Sequence, residues 1–227
     1  MGLGEIVAIK AESARLADVV QANPMGLTVP SCPGWTMGDL ALHLGRVQRF
    51  WAKNVEGENP SQPWRGEPPA PSSDEQLADW LRDGTDLLCG QLEKVPDSTP
   101  CWTWWGEPRT VGAVGRHQVQ EASVHRWDAQ SAAHVPEPIK TAVAVDGVSE
   151  FLEVVDRGAT GRPGRVDLVA VDTGRKWALG SGSGPPVTAR ATASDLVLLL
   201  YGRVNSGHVE IEGDRGRFDA FFRAGES

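Results

Sequence analysis

The chain has 227 residues, 40% hydrophobic and 23% charged, with a formal net charge of −8. That is enough for one large or two small globular domains of ordinary composition. The acidic balance, without a Lys/Arg cluster, argues against nucleic acid as a partner, and no apolar run approaches the roughly 20 residues of a membrane span.

The opening "MGLGEIVAIKAESARLADVV" mixes charges into its apolar run and lacks the uninterrupted core of a signal peptide. Ile6 stands at the sixth position, where an N-myristoylation motif beginning at Gly2 needs Ser or Thr. Cys32, Cys89 and Cys101 are few and odd in number, as expected in a reducing compartment, so the expected location is the cytoplasm.

Residues 5 to about 22 predict an amphipathic helix with Ile6, Ile9, Leu16 and Val20 on one side. "NPMGLTVPSCPGW" breaks it with three prolines and two glycines. A second helix starts at Thr36, where Thr36 and Asp39 form a capping-box-like pair, and carries Leu40, His43, Leu44 and Val47 along one stripe. After the loop "EGENPSQPWRGEPPAPSS", Ser72 and Glu75 are expected to cap a third helix reaching about Leu92, with Leu77, Trp80, Leu81 and Leu88 inward. The loop "PDSTPCWTWWGEPRT" holds several of the chain's nine Trp residues and suggests an apolar substrate wall. A fourth helix is predicted from about Val111 to Ala133.

Four long helices with long connections read as a four-helix bundle over residues 1–134. The Pro-rich "HVPEPIK" marks a boundary. Residues 135–227 predict a helix from about Thr141 to Val155 and strands in "RVDLVAVD", "RKWALGSG" and "PPVTARAT". A helix capped by Thr192 and Asp195, a strand in "HVEIEGD" and a helix in "RFDAFFRA" follow. The expected class is therefore α+β, a bundle followed by a small layer with a mostly antiparallel sheet. "GSGSGPP" is not a phosphate loop, because it lacks the Lys-Ser/Thr ending and leads into no helix.

The stretch "RHQVQEASVHRWDAQ" carries the chemistry. His117, Glu121 and His125 recur every four residues, so they span only about 80° of helix surface. Val124, Ala122 and Ala129 lie beside that face, which turns it inward. A carboxylate among histidines in a bundle interior is costly unless neutralised. A divalent metal is one solution, with His43 on the second helix as the further ligand. A buried polar network without metal is the other. Spacing alone leaves open which three of the four residues would bind. Asp128, three residues beyond His125, is placed to orient that histidine or to lie on the helix surface.

"VPSCPGWTMGDLALHLGRV" and "EASVHRWDAQ" resemble the two signatures of the mycothiol-dependent maleylpyruvate isomerase family. "VDLVAVDTGRKWAL", "ATASDLVLLLYGRV" and "VEIEGDRGRFDAFF" are similar to its C-terminal domain, so the resemblance covers nearly the whole chain. It implies a DinB-like four-helix bundle and a C-terminal domain related to sterol-carrier folds. It also implies His43, Glu121 and His125 as ligands of a divalent metal, with Zn2+ the expected ion, and mycothiol as thiol cosubstrate. The mechanism the resemblance implies is addition of a metal-held thiolate to the double bond of maleylpyruvate, rotation of the adduct and expulsion of the thiol to leave the trans isomer. His117 falls outside the implied ligand set and is expected behind the ligands or in the thiol-binding wall. Trp105 and Arg109, in the Trp loop, are the expected thiol contacts. Arg109, Arg116, Arg126 and Arg203 are candidate cations for an acidic substrate, with Arg203 of "LYGR" placed first.

Cys32 belongs to the "CPGW" turn, which reads as structural, so the reacting thiol is expected to be borrowed. The leading expectation is a small-molecule isomerase or S-transferase, acting as a monomer or small homo-oligomer. A hydrolase with a metal-bound water and a non-catalytic small-ligand binder are the alternatives.

Overall fold

The structure is a computed structural model and describes residues 3–57, 59–156, 164–180, 182 and 185–223. Gly2, of the lipidation reading, and Ser181, Ser183 and Gly184, of the "GSGSGPP" segment, lie outside the described residues. The chain divides into two compact units, Met1–Glu137 and Pro138–Ser227.

The first unit is built on α1 (Leu3–Ala22), α2 (Met37–Glu56), α3 (Leu77–Lys94) and α4 (Val111–Ala132). Thr36 caps α2 with the full reciprocal box: its hydroxyl accepts from the Asp39 amide, and the Asp39 carboxylate accepts from the Thr36 amide at 2.9 Å. Each end of the pair satisfies a donor that the helix start leaves open. The start of α3 differs from expectation. Ser72 and Glu75 do not form a box; a short 3-10 turn, Asp74–Gln76, precedes α3, and Gln76 accepts from both the amide and the hydroxyl of Ser72. The longer Gln side chain reaches back across the tighter turn. Thr110 caps α4 by accepting from the Ala113 amide.

Packing runs α1–α3–α2–α4 around the bundle, so each sequential pair α1/α2 and α3/α4 lies diagonally. That order explains the long connections. Leu16, Val20, Met37, Leu40, Leu44, Leu81 and Ala129 share one core. The approach of α3 to α2 depends on Gly45, where an added Cβ would lie 2.2 Å from the Trp80 ring. α2 and α4 are neighbours in this ring, which lets residues of the two helices meet.

The second unit contains α5 (Thr141–Phe151), β1 (Val166–Ala170), β2 (Lys176–Leu179), β3 (Val187–Ala191), α6 (Ala193–Leu200), β4 (Glu210–Glu212) and α7 (Arg215–Arg223). A π-helical segment, Leu152–Asp156, follows α5. The sheet order is β2-β1-β3-β4; β1 pairs β2 antiparallel and β3 parallel, and β3 pairs β4 antiparallel. Two antiparallel ladders around one parallel ladder give a mixed α+β layer. Val166, Leu168 and Ala170 are buried as their alternation predicts, and Val169 is buried with them. α6 is apolar nearly all round and buried on most of its surface. Among the described residues, no helix is long and apolar enough to cross a membrane.

Candidate metal centre

His43 comes from the inward stripe of α2, while Glu121 and His125 come from α4 one turn apart. The structure brings the three together. His43 Nε2 lies 2.9 Å from Glu121 Oε1, and His125 Nε2 lies 3.5 Å from the same oxygen. One donor atom from each falls within 4.8 Å of the others. His43 keeps 34% of its side-chain exposure and His125 only 8%, so the cluster is buried on the α4 side and reachable from the α2 side.

His125 is held at both ring nitrogens. Its Nδ1 is 2.9 Å from Oδ2 of the fully buried Asp128, and the Cys32 thiol donates to that same oxygen at 3.4 Å. A carboxylate can only accept here, so Nδ1 carries the proton and Nε2 faces Glu121. Burial opposes charge on His125, but hydrogen bonds with Asp128, Cys32 and Glu121, and the Glu121 charge, lift its pKa well above the ordinary 6.5. Burial likewise opposes charge on Glu121, yet hydrogen bonds with His125 and His43 hold its carboxyl well below 4.5.

The "SCPGW" turn closes over this pair. A bridge between Thr28 and Thr36 and hydrogen bonds from Val29 to the Trp35 carbonyl and from Trp35 to the Cys32 carbonyl draw the loop tight. Gly34 takes the left-handed φ of 83° that the turn requires. Trp35 then stands 4.8 Å, ring to ring, from His43 and 6.1 Å from His125.

The donor set fits a divalent cation. Two imidazole nitrogens and a carboxylate oxygen converge, one imidazole is oriented by a buried carboxylate, and three protein ligands leave room for an exchangeable one.

The other expected site residues lie elsewhere. His117 is buried among Trp51, Trp104 and Trp105, with ring separations of 6.4, 5.7 and 4.9 Å. Trp105 is buried and donates its indole N–H to the Pro108 carbonyl, whereas Trp104 is 52% exposed. Arg109 is half-buried, and its Nε has no hydrogen-bond partner among the described residues. Arg116 is half-buried in the second turn of α4. Arg126 is not a substrate cation. It is fully buried, with Nε donating to Glu12 at 2.7 Å and Nη1 to Gln130 and the Glu137 carbonyl. Arg203 lies in the second unit, donates to the Tyr201 carbonyl at 2.8 Å, and lines a cleft of about 880 Å³ with Phe151, Tyr201, Phe218 and Phe222. Sequence reasoning assigned no role to Trp35 or to the Cys32 hydrogen bond. The quoted "CPGW" was the available signal.

The fold and the donor set define a helical-bundle protein with a candidate metal centre, followed by a mixed α+β domain. Comparison with known families makes this particular. The model of the mycothiol maleylpyruvate isomerase N-terminal domain matches residues 6–130, and that of the MDMPI C-terminal domain matches residues 142–220. The chain belongs to the mycothiol-dependent maleylpyruvate isomerase family. Among solved structures, it is similar to the mycothiol-dependent maleylpyruvate isomerase (TM-score 0.65) and to a histidine-to-alanine mutant of it (TM-score 0.68). Each match has 13% identity and covers 92% of both chains, which is a likeness of fold. Comparison with curated proteins gives no match.

Proposed function

We propose that this chain is a metal-dependent enzyme that uses a low-molecular-weight thiol, mycothiol, on a small electrophile. The reaction is cis–trans isomerisation of a maleylpyruvate-like substrate or transfer of the thiol. One observation carries this reading: His43, Glu121 and His125 converge from two helices, with the far side of His125 anchored by Asp128. Family membership supplies the thiol and the reaction class. In this reading residues 1–134 form the metal-bearing bundle and residues 135–227 the sterol-carrier-like domain.

His43, Glu121 and His125 would hold the cation, for which Zn2+ is proposed. A bound divalent cation would supply the Lewis acidity that keeps a small thiol deprotonated near neutral pH. Asp128 keeps the Nδ1 proton of His125 in place and its Nε2 turned toward Glu121. Trp35 shields the imidazoles from water on one side. Burial pushes the Cys89 and Cys101 thiols up to about 12 and about 11, which leaves both poorly ionised near neutral pH. Arg109 and Trp105 are proposed to meet the thiol cosubstrate, His117 to line its wall, and Arg203 to receive an acidic group of the substrate. A cytoplasmic monomer or small homo-oligomer is the proposed form.

The test is direct. Zinc-loaded protein is mixed with mycothiol and maleylpyruvate, and separately with a reactive electrophile, and followed for trans product and thioether. Thiol-dependent turnover of either supports the proposal. No mycothiol binding and no turnover with any electrophile would sink it, and thiol-independent hydrolysis of an ester would move the reading to a hydrolase.

A further inference from the structure

We infer that Cys32 is a positioning residue for the proposed metal ligand His125, acting through the Asp128 carboxylate; this rests on the proposed metal-dependent function. A buried cysteine is most often a small apolar filler. Cys32 is 7% exposed, but its sulfur is engaged with a carboxylate, at 3.4 Å from Asp128 Oδ2. The same oxygen is 2.9 Å from His125 Nδ1. The thiol, the carboxylate and the imidazole therefore form one chain that ends at the cluster with His43 and Glu121.

Asp128 and His125 sit one turn apart on the same helix, so their contact is local to α4. Cys32 supplies a donor from a different element, 96 residues away in sequence. That donor is itself fixed. The Cys32 amide donates to Val29, its carbonyl accepts from Trp35, and Gly34 closes the turn with a left-handed φ of 83°. The turn thus bears on His125 from two sides: Cys32 behind the Nδ1 edge through Asp128, and Trp35 beside the ring at 6.1 Å. Outer partners of metal ligands hold the ligand ring to one orientation and typically change affinity by about 10- to 100-fold when lost. A thiol donor acting through a carboxylate belongs at the lower end.

The experiment measures zinc affinity of the full chain by competition with a chromophoric chelator, in wild type, Cys32→Ala and Cys32→Ser. Thermal melts confirm that each variant is folded. Wild type is expected to bind zinc, Cys32→Ala to bind about tenfold more weakly, and Cys32→Ser to recover most of the loss because its hydroxyl still donates. Equal affinity in wild type and Cys32→Ala overturns the inference and leaves the metal reading standing. Equal weakening in both variants also overturns it, because packing rather than the hydrogen bond would then be responsible. The cobalt-substituted wild type supplies an independent readout. A near-ultraviolet thiolate-to-cobalt charge-transfer band, absent in Cys32→Ser, would make Cys32 a ligand and refute the positioning role. Failure of wild type to bind any metal would sink both readings.

Discussion

Replacing Asp128 with Asn separates the two tasks of the buried carboxylate. The amide has the same shape and can still accept from His125 Nδ1, but it has no charge. In the metal-free chain the Asp128 hydrogen bond is the leading influence that opposes burial and keeps His125 charged, with a pKa well above 6.5. A histidine raised in this way contributes stability that is fully present below its unfolded value and disappears as pH climbs through the folded value. Hydrogen bonds to charged groups contribute about 1.5–3 kcal/mol, against about 0.5–1.5 for neutral pairs, so Asp128→Asn should cost about 1–2 kcal/mol at about pH 6. The cost should shrink at a pH above the folded value of His125, where the imidazole loses its charge in both proteins. Urea denaturation of chelator-stripped protein at both pH values measures this difference. With zinc present the same change should weaken binding about 10- to 100-fold, or about 1.4–2.7 kcal/mol. A destabilisation that is identical at both pH values, together with unchanged zinc affinity, would refute the role given to Asp128.

Other consequences follow from the packing. Arg126→Met leaves the buried Glu12 without its 2.7 Å ion pair and with Arg15 at 3.8 Å, and should cost up to about 3–5 kcal/mol in chemical denaturation while leaving zinc binding intact; adding Glu12→Gln should return part of that loss. Cys89 and Cys101, with pKa values raised by burial to about 12 and about 11, expose roughly one thiolate in a thousand or fewer at about pH 8. Mass spectrometry after iodoacetamide treatment of the native protein should find both unmodified, and rapid modification of either would contradict the burial argument. Gly45→Ala drives a methyl into the Trp80 ring and should lower stability by about 1–3 kcal/mol, and Trp80→Leu should relieve much of it in the double variant.

Much of the bundle was legible because its signals are local. The Thr36–Asp39 box lies within one turn, and helical periodicity turns His43 inward on one helix and His117, Glu121 and His125 inward on another, while the choice of His43, Glu121 and His125 among them came from the family resemblance. Distant partners left no such trace. Cys32 and Asp128 are separated by 96 residues and Glu12 and Arg126 by 114, so neither spacing nor composition pairs them. Arg126 looked like an available cation because charge on a helix usually faces water. Only the docking of α1 against α4 shows that it is enclosed. The cap of α3 was misread for a local reason, since a 3-10 turn changes which side chain can reach back, and Gln76 takes the place assigned to Glu75. His117 keeps the periodicity of the Glu121–His125 stripe, and the structure sets it among the indoles of Trp51, Trp104 and Trp105, a contact that joins one loop and two helices and left no local trace.

The central claim is that His43, Glu121 and His125 hold a metal and His117 does not. Elemental analysis of the untagged protein, in wild type, His43→Ala, His125→Ala and His117→Ala side by side, tests it most directly. The account predicts about one zinc per chain in wild type, loss of that zinc in His43→Ala and His125→Ala, and retention of most of it in His117→Ala. No zinc in wild type even after zinc is added, or equal loss from all three variants, would contradict it.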